Sequence, residues 1–264
     1  MARTEAIKGI RWRLWLNLAL VCGGLTAVIY TGREVRHFVT TDARFTLAGP
    51  DDRDAGLTMD GVVHASRYRV LAAFAPDFGR SVFRSPIAER RRRLLAIDWI
   101  QDASIARIWP NRMAVHVKER QPVAFVNLPV PGARGSRVLL IDAEGVLLQP
   151  PPQSHFVFPV LSGVTDKQTE PERGTRVQAM LRLLNDLGPL SKDVSEVNAS
   201  APESLSVVMQ VEDGAVELVM GNQRFSQRMQ NFLEHYPEMR RHSVNARAFD
   251  LRLDDRITAG TQRQ

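Results

Sequence analysis

Trp109-Pro110-Asn111-Arg112-Met113-Ala114-Val115-His116-Val117-Lys118-Glu119-Arg120-Gln121-Pro122-Val123-Ala124-Phe125 is the stretch from which the rest of the chain can be laid out. Pro110-Asn111 signals a turn. After it, Met113, Val115 and Val117 alternate with Ala114, His116 and Lys118, the period of two expected of a half-buried strand. Residues 103–108 make a second strand candidate, so the turn reads as a hairpin return, and residues 86–97 ahead of it read as a helix. Pro122 has no N–H for a ladder, which predicts a seam between two structural units at 120–122.

Upstream of the hairpin, residues 45–49 alternate like a short strand and residues 51–56 read as loop. Val63, Val70, Leu71 and Phe74 share one face of a helical period, ended by Pro76 and Gly79. Ser85-Pro86 reads as a side-chain cap followed by a first-turn proline. The helix it opens sets Ile87, Leu94 and Leu95 on one face and the four arginines 90–93 around the other. Arginine forks suit anions, yet consecutive helical residues point in different directions and do not converge on one ligand. A solvated face is the plain reading, and contact with anionic headgroups or an acidic partner the functional one.

At the N-terminus, residues 14–32 are nineteen residues without a charge. At about 1.5 Å per residue they span roughly 28 Å, close to the hydrocarbon thickness of a bilayer. Trp12, Trp15 and Tyr30 suit the two interfaces. Arg3, Lys8, Arg11 and Arg13 against Glu5 put half of the chain's net +6 ahead of the run, so the N-terminus is expected in the cytoplasm and the bulk of the chain outside it. A cleaved signal peptide would want a small-x-small site, for which Thr26-Ala27-Val28 is poor, and a buried soluble helix would want an amphipathic face, which is missing. The remaining 250 residues carry only +3, which gives no reason to invoke nucleic acid. The single cysteine, Cys22, lies inside the apolar run, so neither an intramolecular disulfide nor a thiolate cluster is available.

Beyond 120 the pattern turns to strands. Residues 138–141 and 146–148 flank Asp142-Ala143-Glu144-Gly145 as a hairpin. Asp142 and Glu144 resemble a carboxylate pair for glycoside chemistry, but acids are commonplace on turn tips. Val177, Met180, Leu181, Leu184 and Leu187 mark a helix stopped by Gly188-Pro189. Val194 and Val197 suggest a short strand, and residues 205–211 and 216–220 a hairpin around Asp213-Gly214. Phe225, Met229, Phe232, Leu233 and Tyr236 stripe a last helix, which Pro237 should end. Phe249, Leu251 and Leu253 then alternate with Asp250, Arg252 and Asp254 as a terminal strand. Of six histidines only His235 and His242 approach a spacing of interest, and Pro237 between them argues against a shared metal. Neither a glycine-rich phosphate loop, a Gly-x-Ser-x-Gly elbow nor an H-E-x-x-H motif occurs. Neither an enzyme, a cofactor nor a small-molecule substrate is expected.

Several stretches carry a resemblance: Asp98-Trp99-Ile100 with Ala103, Arg107 to Arg112 through Ile108, Trp109, Pro110 and Asn111, and Glu119-Arg120-Gln121-Pro122-Val123-Ala124-Phe125. They resemble the POTRA domain of the bacterial cell-division FtsQ/DivIB family, and Phe158-Pro159-Val160-Leu161-Ser162-Gly163 and Asp250-Leu251-Arg252 resemble later parts of it. The fold expected is α+β: a transmembrane helix, a POTRA domain of order β-α-α-β-β, then an antiparallel β-rich domain with helices. The expected boundaries are a cytoplasmic tail at 1–14, the span at 15–32, a linker at 33–43, the POTRA domain at 44–119, the β domain at 120–255 and a tail at 256–264. The resemblance implies a non-enzymatic inner-membrane scaffold of the division septum that recruits partners of the FtsB and FtsL type. It also implies that the last strand, Asp250, Leu251, Arg252, Leu253 and Asp254, is an open edge accepting a partner strand, with Arg252 pairing an acid and Leu253 an apolar contact. An anchored cell-wall hydrolase would need a catalytic constellation, which is not found, and a sensor a cytoplasmic output module, for which only about fourteen residues precede the span.

Overall fold

The computed structural model describes residues 3–50, 56–130, 132, 135–152, 154–212, 214–242, 246–253 and 256–260. The chain separates into two compact units, Met1–Glu119 and Arg120–Gln264.

The first unit opens with helix α1, Arg3–Thr41, of which Asn17–Thr41 is long and apolar enough to cross a membrane. The linker expected at 33–43 is therefore helical as far as Thr41. Neither Gly nor Pro interrupts residues 33–41, and the Thr40 hydroxyl bonds the carbonyl of Arg36. The helix gives way at Asp42, whose carboxylate accepts the N–H of Arg44 and starts a short 3-10 turn.

The first sheet strand also lies elsewhere than expected. Residues 45–49 alternate as read, burying Phe45 and Leu47, but Leu47 bonds the loop at 79–80 rather than the sheet. Strand β1 is Leu57–Asp60, parallel to β3. It stops at Gly61, whose φ of +78° and 2.0 Å approach of a would-be Cβ to the Val117 carbonyl exclude any side chain. Helices α2, Arg67–Phe74, and α3, Ile87–Leu95, follow. Val70 and Phe74 are buried, while Val63 lies outside the helix and is exposed. Strands β2, Ile100–Ile108, and β3, Arg112–Glu119, form the antiparallel hairpin. Met113, Val115 and Val117 point into the core as the alternation required. The order β-α-α-β-β is thus present, with β3 central in a three-stranded sheet.

Two details of α3 correct the sequence reading. Ser85 does not cap it; its hydroxyl donates to Asp77 Oδ2. Arg90 is not on a solvated face, being buried on the side of Leu94, where its Nε and Nη2 reach the two oxygens of Asp77 at 2.7 and 3.0 Å. The other arginines diverge, Arg91 to Asp102 and the Ala103 carbonyl, Arg93 to Glu89. Burial pushes the Asp77 carboxyl up, but the Arg90 fork and the Ser85 hydroxyl outweigh it and hold the group below its usual value.

The second unit is one mixed sheet, nine-stranded among the described residues. Strands β4, Pro122–Pro129, β5, Ser136–Asp142, and β6, Leu147–Leu148, form hairpins. Strand β7, Val160–Ser162, lies parallel to β4 and to β8, Val194–Asn198. Strands β9, Leu205–Val211, and β10, Gly214–Gly221, are antiparallel; Asp213 of the turn between them lies outside the described residues, as do residues 51–55. Helices α4, Glu170–Leu187, and α5, Phe225–His242, cover one face. A capping box of Thr169 and Glu172 starts α4. Val177, Met180, Leu183, Met229 and Phe232 join the strands in one core. Pro237 does not end α5: Tyr236 and Met239 pack on that core beyond Phe232, and this packing offsets the roughly 3 kcal/mol an internal proline costs.

Asp77→Ala strands the Arg90 guanidinium in the core and is expected to cost about 3–5 kcal/mol, while Asp77→Leu with Arg90→Met recovers much of it. Hydrogen exchange of the α3 and β2 amides in the detergent-solubilised chain measures both. With its folded value below the unfolded one of about 3.9, Asp77 contributes fully above that pH and loses its contribution as pH falls through the folded value. Protection in the unchanged chain should therefore drop over that acid window more than in the double variant.

Candidate partner-docking edge

Strand β11, Ala248–Asp250, runs parallel to β10, and the N–H of Leu251 extends the pairing to the Val219 carbonyl. Alternation sends Phe249 and Leu251 into the core, where Phe249 meets the rings of Phe232 and Tyr236. Asp250 and Arg252 fall on the other side.

Their side chains close on each other. Asp250 accepts the backbone N–H of Arg252 at 3.0 Å, its Nε at 3.0 Å and its Nη2 at 2.6 Å. The Arg252 fork holds the Asp250 carboxyl below its usual range, and Asp250 raises the guanidinium in turn. The fork expected to await an acid from outside is thus already engaged within the chain. The Arg252 stem packs over Gly221, where an added Cβ would come within 3.4 Å of its Cγ and 2.9 Å of Arg228 Nη1. Arg228 of α5 ties the segment down, donating to the carbonyls of Met220 at 2.7 Å and Arg252 at 2.8 Å.

The outer side of β11 is not open. Strand β12, Thr258–Gly260, pairs antiparallel with it, Asp250 opposite Thr258, and stands at the end of the sheet order. Among the described residues the sheet edge is therefore at 258–260, in what read as a tail, and not at 250–254. Leu253 is exposed beside the edge, and Asp254 lies outside the described residues. A groove of about 340 Å³ runs between α5 and this segment, lined by Gln227, Asn231, Glu234, Leu251, Leu253 and Ile257. The sequence reading missed β12 because it is three residues long with one apolar neighbour, Ile257. Asp254-Asp255 ahead of β-branched Ile257-Thr258 was the signal available.

The acids of the first hairpin hold a turn. Asp142 Oδ1 accepts the N–H groups of Glu144 and Val146, and Arg120 Nη1 reaches both carboxylates, at 2.8 Å for Asp142 and 2.6 Å for Glu144. His235 Nδ1 lies 2.9 Å from the Asn231 carbonyl of its own helix.

Two family models match the chain. One described as the FtsQ-type POTRA domain matches residues 57–120, and one described as the C-terminal part of the cell division protein FtsQ/DivIB matches residues 133–252.

The chain belongs to the FtsQ/DivIB family.

Similar proteins of the family include the cell division protein FtsQ of Koribacter versatilis, 34% identical over 81% of this chain and 60% of its own length. That of Coxiella burnetii is 28% identical over 58% of this chain and 56% of its own length, and that of Shewanella oneidensis 25% identical over 95% and 87%. The chain thus spans less than two thirds of the length of the first two. The POTRA match falls in the first unit, up to its boundary with the second, and the C-terminal match in the second, where the matched residues include Asp250, Leu251 and Arg252 but stop short of β12.

Arg228→Ala should free the segment after β11 from α5. Loss of a charge-assisted hydrogen bond of about 1.5–3 kcal/mol corresponds to roughly 10- to 100-fold faster exchange of the Leu251 amide, with the β4 and β5 amides unchanged.

Proposed function

We propose that this protein is a non-enzymatic, single-span scaffold of the bacterial division machinery that recruits FtsB- and FtsL-type membrane proteins to the septum. What carries the reading is family membership across both units, joined to a helix apolar enough to span a membrane. The N-terminus lies in the cytoplasm, because the basic cluster precedes the uncharged run, and the residues from about 33 onward lie outside it. Domain boundaries fall at 44–119 for the POTRA domain and from 120 onward for the β domain.

The docking mode follows from the edge. A terminal strand has a free row of N–H and C=O groups that an extended partner segment can satisfy by strand addition. In this chain that strand is β12, with Arg252 and Leu253 flanking it as side-chain contacts. A partner acid could share the Arg252 fork with Asp250, a charge-assisted arrangement that adds specificity to main-chain pairing.

A reporter active only outside the cytoplasm, fused after Gln264, is expected to work, and activity of a cytoplasmic reporter there would reverse the orientation. A fluorescent fusion should gather at mid-cell; uniform membrane fluorescence would count against the scaffold reading. In pull-downs of an FtsB-type partner by the full chain, deletion of residues 257–264 is expected to abolish capture. Arg252→Glu should weaken it by about 1.5–3 kcal/mol, some 10- to 100-fold. Capture undiminished by the deletion would sink the strand-addition model.

A further inference from the structure

The first unit carries an aromatic cluster that runs from its core out to the surface. Phe45 is buried at the centre, with the rings of Phe38 and Phe83 each 5.6 Å away and that of Trp109 at 6.2 Å. Around it the others emerge: Trp109 is 73% exposed, and Phe38, Phe83 and Ile108 are each more than a third exposed. Exposed large apolar side chains gathered in one place mark an interaction surface.

Its position names the occupant. Phe38 belongs to α1 itself, and Ser81 Oγ bonds the Val39 carbonyl, so the cluster is fastened to the helix. Phe38 lies six residues past Gly32, so its Cα stands roughly 9 Å along the axis, just past a headgroup layer about 5–8 Å thick on each side, and helical side chains lean back toward the N-terminus, which returns the ring to that layer. Aromatic rings with a polar tip, tryptophan above all, favour that layer. The charge is complementary as well. The segments 33–44, 80–84 and 107–112 hold seven arginines against Glu34 and Asp42, a net of +5. Arg84 follows Phe83, Arg112 stands opposite Ile108 in the hairpin, and Arg44 lies 5.3 Å from the Phe38 ring.

We infer that Phe38, Phe83 and Trp109, with Arg84 and Arg112 beside them, dock the POTRA domain on the anionic headgroup layer of the membrane that α1 crosses. The inference rests on the reading of α1 as a membrane span. It makes the tip of the β2–β3 hairpin a lipid contact and fixes which end of the POTRA domain is turned toward the bilayer.

The test uses the full chain in nanodiscs of phosphatidylcholine, with or without phosphatidylglycerol, in a Cys22→Ala background. A spin label is placed by Ile108→Cys, by Asp98→Cys in the turn just ahead of β2, whose length of roughly 26 Å separates the two sites, or by Leu25→Cys within the span. Each label's accessibility to bilayer-soluble oxygen is compared with that to an aqueous nickel chelate. With phosphatidylglycerol, the label at 108 should favour oxygen and that at 98 nickel. Each arginine near an anionic surface is worth about fivefold. Arg84→Gln with Arg112→Gln should therefore cut the docked-to-free ratio about 25-fold, with the exchange protection of the hairpin amides retained. Nickel access at 108 equal to that at 98, while 25 favours oxygen, overturns the docking and leaves the span standing, the cluster then being open to a protein partner. Docking indifferent to phosphatidylglycerol overturns the anionic part. Nickel access at 25 removes the span and this inference with it.

Discussion

Two adjacent residues of opposite charge hold the ends of the two units in place. The carboxylate of Glu119 accepts the N–H groups of Val63, His64 and Ala65 at 2.8–2.9 Å. Burial pushes that carboxyl up, and these backbone donors outweigh burial and keep it ionised. The last residue of β3 thereby fixes the loop between β1 and α2, where Ser66 caps the helix and His64 stacks on Trp99. Arg120 reaches Asp142 and Glu144 through the same Nη1 and fixes the first hairpin of the second unit. Burial lowers the guanidinium value and the two acids more than restore it. One unit ends, and the next begins, on a side chain tied into its own fold.

Local patterns were legible wherever a strand pairs with a sequence neighbour or a helix shows a stripe. The β2–β3 and β9–β10 hairpins and the faces of α4 and α5 could all be read directly. What escaped was non-local. Strand β1 pairs in parallel with β3 across more than fifty residues, and nothing in Leu57-Thr58-Met59-Asp60 announces it, whereas Phe45 and Leu47 alternate for a different reason, burial beneath a loop. Arg90 sits in a run of four arginines that looks solvated, and only the fold brings Asp77 to it. Proline is a sound stop signal on average, but at 237 packing on the core outvotes it.

At the candidate edge, the inward faces of Phe249 and Leu251 were legible from alternation alone. That Arg252 is committed to Asp250, and that another strand lies outside β11, were not. The first is a contact between residues two apart, which alternation does not reveal; the second rests on β12, whose three residues of small or β-branched type carry too little periodicity to show it.

Thr258 and Ala259 of β12 are exposed, so the outermost strand hides almost no apolar surface and is held by its main chain. Adhesion through peptide groups is indifferent to side-chain identity. Under the strand addition proposed above, an edge of this kind would tolerate drift in its own sequence, and discrimination between guests would fall to its neighbours, Leu253 and the polar flank of α5.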